Sequence, residues 1–596
     1  MVRTLFRLLL TATAVAQVPL EDARNLNTLT PDTHFRMRNF SSLADWQSRR
    51  EQLREQILAA AGLYPLPSRN PLNPQIVRTV PLDGIAVETV LIETMPGYYL
   101  GGNVYRPAHD LGKHPAVLSP HGHWKHGRTE NIPSYSVPAL GVNLARQGYV
   151  VFAYDMVGYG DTKQTAHDFG GWREQLWSFN PMGLQLWNSM RALDYIQSRD
   201  DVDAERIAVT GASGGGSQTI FLAAVDDRVR IDSPVNMVSA SMQGGDPCEE
   251  APNLRLGASN VDFAAMMAPR PMLLISCTGD WTRNTPVEEF PAIRKIYSLY
   301  GKSDAVRNAH FDARHNYNLA SRLAAYRFFG LHFLSWGPAE RFEEEEPIFN
   351  ESQLMAQVVP PGALNYDALF RQWREASEQQ RSDPDETRER LRLAFGAEWP
   401  DHVLAVPEGD HLALGRPGAF DRVAVRWIPG KGEPAVLVHP DGIEVARRSP
   451  AAARVLAEKR PLILAEVFQT GAARARRYRG GTYFLSYNQT DDANRVEDIL
   501  TVLAYVQRRT RGTAELIGLD DAAIWCTFAA ALAPLHVRLD ARLKNFSGTD
   551  EDFHDRFFVP GIQRAGGLTA AMRVLAGPSP EMPVTDTEGL QEVNQR

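Results

Sequence analysis

Residues 206–216 read Arg206-Ile207-Ala208-Val209-Thr210-Gly211-Ala212-Ser213-Gly214-Gly215-Gly216, and this stretch decides the fold. Its first half is a short β-rich run, and an apolar helical stretch from Gly215 to Val225 follows it. Between them lies Gly211-Ala212-Ser213-Gly214-Gly215, a G-x-S-x-G sequence in the strand-turn-helix setting the motif requires. The glycines have a steric reason. A serine lifted clear of a sheet needs a tight turn, and side chains at 211 and 215 would collide with neighbouring backbone. The turn also places the hydroxyl at a helix N-terminus, where free N–H groups favour developing negative charge. A phosphate-binding loop is the competing reading, but no Lys-Ser/Thr pair follows, so Ser213 is the candidate nucleophile.

Working outward, strands and helices alternate. Pro115 to Leu118, Tyr149 to Tyr154 and Pro271 to Ser276 are apolar strands, while Gly183 to Gln197 and Leu319 to Phe333 have helical patterning. A β-rich passage covers Ile76 to Tyr105, after a helix from Leu43 to Ala61 with Trp46, Leu53, Ile57 and Ala60 on one face. This order predicts an α/β fold: a mostly parallel sheet covered by helices on both faces.

A serine hydroxyl needs a base. In strand-turn-helix nucleophile sites the acid and the histidine follow in that order, on loops after later strands. Asp280, in Thr278-Gly279-Asp280-Trp281, stands just past an apolar strand and is the candidate acid; Asp304 and Asp312 compete with it. His315, before the last helix of this half, is the candidate base, whereas His310 falls inside a strand and is expected to pack or cap. The oxyanion donors are expected to be the N–H of Gly214 and that of His123, in the turn His121-Gly122-His123-Trp124. That turn admits a rival, a metal held by His121, His123 and His126. An H-x-H-x-D-H metallohydrolase would carry Asp where Lys125 stands, so no metal and no other cofactor is expected.

The 596-residue chain is long enough for at least two domains. Its net charge of −8 argues against a nucleic-acid partner, and no later apolar run approaches the ~18 residues of a membrane span. Arg3, Arg7, the apolar run Leu8 to Ala14 and Ala14-Val15-Ala16 read as an export signal over 1–16, predicting a secreted or periplasmic protein. Cys248, Cys277 and Cys526 lie far apart, in neither a disulfide framework nor a CxxC pattern.

Residues 17–337 are read as the catalytic unit. Glu343 to Glu346 and Pro360-Pro361 mark a solvated acidic linker over 338–363. Residues 364–596 echo the first unit: Pro434-Ala435-Val436-Leu437 repeats Pro115-Ala116-Val117-Leu118, and a strand at Glu515 to Gly518 precedes a helix from Ala522. At the matching bend Asp520 stands in place of a serine, and Asp521 and Ala522 replace glycines. This half is therefore expected to be a silent repeat, a packing partner or one wall of the substrate cleft.

With these residues in hand, the first half resembles the α/β-hydrolase superfamily, and within it bacterial acetyl xylan esterase-type serine hydrolases. The resemblance rests on Pro120-His121-Gly122-His123, the Asp155-to-Gly160 turn, the Ser213 motif, Thr278-Gly279-Asp280-Trp281 and His315-Asn316-Tyr317-Asn318. It implies removal of acetyl or another small acyl group, with a small-molecule or polysaccharide ester as partner. Trp124 and Trp281 would then be sugar-stacking, substrate-binding residues, with core packing as the competing reading; Trp177 is expected to pack. A serine peptidase of the same fold and a non-enzymatic binding protein remain as alternatives, and the sequence leaves the oligomeric state open.

Overall fold

A computed structural model describes residues 18–577, apart from 110–111, 336–342, 346–348, 381–383 and 511. The export segment expected over 1–16 lies outside the described residues. The first sheet is built from β1 (Gln75–Pro81), β2 (Ile85–Met95), β3 (Tyr98–Pro107) and β4 (His114–Pro120). A small hairpin follows, β5 (Asn131–Ile132) with β6 (Tyr135–Ser136). The large sheet then continues with β7 (Val150–Tyr154), β8 (Val202–Ala212), β9 (Ile231–Val235), β10 (Met272–Gly279) and β11 (Val306–Arg314). Its order is β1-β2-β3-β7-β4-β8-β9-β10-β11. Pairings are antiparallel as far as β3–β7 and parallel from β7–β4 onward. This is the α/β-hydrolase arrangement that the sequence reading expected.

Strand pleating explains why the central strands read as continuous apolar runs. Ala116 and Leu118 of β4 enter one core cluster and Val117 the opposite one; Val150, Phe152 and Tyr154 of β7 divide from Val151 and Ala153 in the same way. With both faces covered, alternation disappears from the sequence. The helix Leu43–Ala60 buries Trp46, Leu53, Ile57 and Ala60, the face its spacing predicted.

A second sheet follows: β12 (Leu404–Glu408), β13 (His411–Gly415), β14 (Val423–Ile428), β15 (Ala435–Val438), β16 (Leu462–Glu466), β17 (Ala514–Gly518) and β18 (Val537–Ala541). Its order is β12-β13-β14-β16-β15-β17-β18, again antiparallel up to β16 and parallel beyond. Position by position it repeats the first seven strands of the large sheet. One continuous core cluster takes alternate residues from both sheets, Leu118 and Phe152 from one and Val436 and Val438 from the other.

One expectation needs amendment. The acidic run is not simply solvated. Glu343 accepts from Arg322 Nε and Nη2, both at 2.6 Å, and from the Tyr326 hydroxyl at 2.7 Å. The segment after it also packs back on the first sheet, where the Leu354 carbonyl accepts from Asn103 Nδ2 and Arg128 Nη2. Charge patterning missed this because the pairing cations lie elsewhere in the chain. All three cysteines are buried and free. Among the described residues no helix is long and apolar enough to cross a membrane.

Candidate active site

Ser213 sits where β8 gives way to the helix Gly214–Val225, with its backbone bent to φ 59° and ψ −125°. A side-chain-bearing residue adopts such a conformation only when its surroundings impose it. A Cβ at Gly211 or at Gly215 would stand 2.3 Å from the carbonyl oxygen of Pro120, the last residue of β4. Two glycines are thus what allow helix and strand ends to close around the serine. Ser213 N–H donates to the Val235 carbonyl at the end of β9, pinning the bend from the other side.

Asp280 and His315 each directly follow a strand, β10 and β11, and these strands are hydrogen-bonded neighbours. The side chains meet: His315 Nδ1–H donates to Asp280 Oδ2 at 2.7 Å. The other oxygen, Oδ1, accepts from Thr282 N–H at 2.7 Å and from the Thr282 hydroxyl at 2.6 Å. Burial pulls the Asp280 carboxyl upward, but the hydrogen bonds from His315 and Thr282 outweigh it and hold the group below the ordinary carboxylate range. With the proton fixed on Nδ1, the neutral ring offers Nε2 as a lone pair. That nitrogen is buried and has no protein partner among the described residues.

The competing residues are occupied elsewhere. His310 Nδ1 bonds the Ser276 hydroxyl at 2.8 Å, Asp312 accepts from Thr278 Oγ1 at 2.7 Å, and Asp304 pairs with Arg294 at the surface. His121 is scaffold: its Nδ1 bonds the Gly122 carbonyl, its Nε2 accepts from Met156 N–H, and burial pushes it down to about 3. The set His121, His123 and His126 is therefore not gathered into one ligand cluster.

The turn at His123 lies against the nucleophile helix, since a Cβ on Gly214 would stand 2.6 Å from His123 Cε1. Among the described residues neither the Gly214 nor the His123 N–H donates to a protein acceptor. Ser213, His123 and Trp281 line one cleft of about 380 Å³, together with Asp32, Asp246 and Tyr483. Trp281 also packs its ring on His315 with centroids 4.5 Å apart, which joins the cleft to the Asp280–His315 pair.

Trp124 is not among the walls of this cleft. It stacks on Tyr135 at 3.7 Å and 3°, with His315 nearly parallel to it at 5.8 Å. Trp177 is buried, its indole N–H bonding Asp550 of the second half. Sequence reasoning missed Asp32 and Tyr483, because only tertiary packing brings them here. Tyr483 is carried by a segment bonded to the first half through Asn253 N–H to the Leu485 carbonyl and Arg255 N–H to the Ser486 carbonyl, both 2.8 Å.

Comparison with known proteins adds a second line. The acetyl xylan esterase (AXE1) family model matches residues 76–236, which includes Ser213 and stops before Asp280 and His315. "Putative hydrolase YtaP" of Bacillus subtilis (strain 168) is 30% identical over 303 residues, covering 47% of this chain and 98% of the relative. Among solved structures, Methylesterase BT1017 is 28% identical with a TM-score of 0.45, covering 59% of this chain and 77% of its own. A glucuronoyl esterase from Solibacter usitatus is 17% identical with a TM-score of 0.40, covering 53% of this chain and 100% of its own.

Proposed function

This chain belongs to the acetyl xylan esterase family, and from that premise we propose that it removes acetyl or other small acyl groups from carbohydrate through an acyl-enzyme on Ser213. It is a carboxylic ester hydrolase. In the proposed sequence His315 Nε2 takes the Ser213 proton as Oγ attacks the ester carbonyl carbon. Asp280 keeps the other imidazole proton on Nδ1 and stabilises the cation that forms. The tetrahedral oxyanion rests on the N–H groups of Gly214 and His123. His315 then protonates the departing sugar oxygen, and a water activated by the same nitrogen releases the acid and restores Ser213.

One observation carries this reading: a serine at positive φ on a strand-to-helix bend lines a cleft with Trp281, whose ring packs on a histidine with Nδ1 held by a buried carboxylate and Nε2 unpartnered. Trp281, in the cleft wall, is the proposed sugar platform. Residues 364–596 are proposed to form a silent second unit that closes one side of the cleft through Tyr483. Export through residues 1–16 belongs to the same proposal, since acetylated polysaccharide lies outside the cell.

The test is labelling by a fluorophosphonate. Ser213→Ala is expected to abolish labelling and Asp520→Ala to leave it intact; equal labelling of both variants would overturn the assignment. Hydrolysis of p-nitrophenyl acetate but not of aminoacyl anilides is expected, and the reverse would favour a peptidase. Release of acetate from acetylated polysaccharides then identifies the substrate.

A further inference from the structure

Beside the serine cleft, three side chains from three separate loops converge. His123 follows β4, His167 lies in the loop after β7, and Cys248 lies in the turn Pro247–Glu249 after β9. His123 Nε2 is 3.2 Å from His167 Nε2 and 3.2 Å from Cys248 Sγ, and all three ligand atoms lie within 4.8 Å of one another. Tetrahedral zinc, with Zn–N of about 2.05 Å and Zn–S of about 2.3 Å, requires its ligand atoms to be roughly 3.3–3.6 Å apart.

The outer contacts orient both rings toward a shared point. His167 Nδ1 lies 2.7 Å from the Val157 carbonyl oxygen, which can only accept, so Nδ1 carries the proton and Nε2 of the neutral ring is a lone pair. His123 Nδ1 lies 3.4 Å from Asp246 Oδ2, a carboxylate that favours a proton on that nitrogen. His167 is thus hydrogen-bonded at its far nitrogen and His123 has a carboxylate near its own, the outer-shell pattern of metal-binding histidines. Two lone pairs and a sulfur remain facing one another. A proton can join two of these atoms, but a metal ion joins all three.

We propose that His123, His167 and Cys248 bind one zinc ion that fastens three loops together, two of which line the Ser213 cleft through His123, Asp246 and Glu249. Imidazole and thiolate donors select a borderline ion over magnesium or calcium, and three protein ligands leave a fourth position for water. Neither composition nor spacing revealed this set, because its members are 44 and 81 residues apart by numbering. The inference concerns binding and does not rest on Ser213 as nucleophile, so labelling at Ser213 and zinc binding can fail independently.

The test uses the full chain, purified under reducing conditions, stripped with a chelator and titrated with zinc chloride. One equivalent is expected to bind, and cobalt(II) in its place is expected to give a thiolate-to-metal charge-transfer band. Cys248→Ser and His167→Gln should each abolish stoichiometric binding while retaining the wild-type near-ultraviolet circular dichroism. Asp246→Asn should weaken binding ~10–100-fold, and Cys277→Ser and Cys526→Ser should leave it unchanged. Absence of stoichiometric zinc binding in the wild type would overturn the proposal. So would a cobalt spectrum without a thiolate band, which needs no variant to interpret, or binding that survives both ligand substitutions.

Discussion

Replacing Asp280 by asparagine tests the proposed chemistry with little change of shape. The wild-type carboxylate uses Oδ1 to accept both Thr282 hydrogen bonds and Oδ2 to accept from His315 Nδ1. An asparagine can keep its amide oxygen toward Thr282, which needs an acceptor, and must then turn its NH2 toward His315. Two donors cannot face each other, so the imidazole proton moves to Nε2, the atom that must receive the Ser213 proton. The expected loss is about 10,000-fold in kcat, or ~5.4 kcal/mol of transition-state stabilisation. The assay is p-nitrophenyl acetate hydrolysis, with fluorophosphonate labelling rates as a second readout. Stability supplies an independent check. Because the folded state holds the Asp280 carboxyl below its ordinary value, the unfolded chain takes up this proton first on acidification. Its stabilising contribution is full above the unfolded-state value of ~3.9 and is lost as pH falls through the lower folded-state value. The wild-type advantage in melting temperature over Asp280→Asn should therefore narrow in acid. A variant that kept kcat within about tenfold of wild type would refute the tautomer argument.

Two further substitutions probe the frame around the serine. In Gly215→Ala the gain in helix propensity of ~1 kcal/mol meets a Cβ 2.3 Å from backbone oxygen. The net effect expected is destabilisation of ~1–3 kcal/mol in urea unfolding, with reduced turnover; a more stable, fully active variant would contradict the packing argument. Arg128 is buried, pairs with Asp155 and Asp161 and bonds Asn103 Oδ1 at 2.9 Å. Arg128→Met should cost ~3–5 kcal/mol by leaving two carboxylates without their cation, and unfolding at the wild-type denaturant midpoint would exclude that role.

What was legible in the sequence was local or carried by strand ends. The Ser213 bend is legible because strand, glycines and helix are contiguous, Asp280 because it lies just past an apolar strand, and His315 because it lies between a strand and the last helix of its half. That logic fails where contacts cross the chain. Nothing near Tyr483 announces that it faces a cleft beside Ser213, and nothing near Glu343 shows that Arg322 will take its charge. Trp124 shows a different limit: position next to a site residue says nothing about which faces of the ring its neighbours cover. His123 was read as an oxyanion donor, or as a ligand beside its neighbours His121 and His126, because its side-chain partners His167 and Cys248 lie in two distant loops.

The second sheet shows how much of such a site is backbone and how much is chemistry. It repeats the large sheet from β1 through β9 and, among the described residues, has no counterparts of β10 and β11. Those are the strands whose ends carry Asp280 and His315. A positive φ persists at the matching position: Asp520, between β17 and the helix Ala522–Leu532, has φ 47° against 59° for Ser213. Asp520 is met by His439 Nε2 at 3.4 Å and Lys544 Nζ at 3.6 Å. A turn at positive φ is therefore retained where, among the described residues, no counterparts of β10 and β11 accompany it. Preserving the turn follows from packing, since β15, β17 and the helix behind them share the core that both sheets contribute to. Reactivity is a separate property, and in the proposed mechanism it depends on the two outer strands that bring a carboxylate and an imidazole within 2.7 Å of each other.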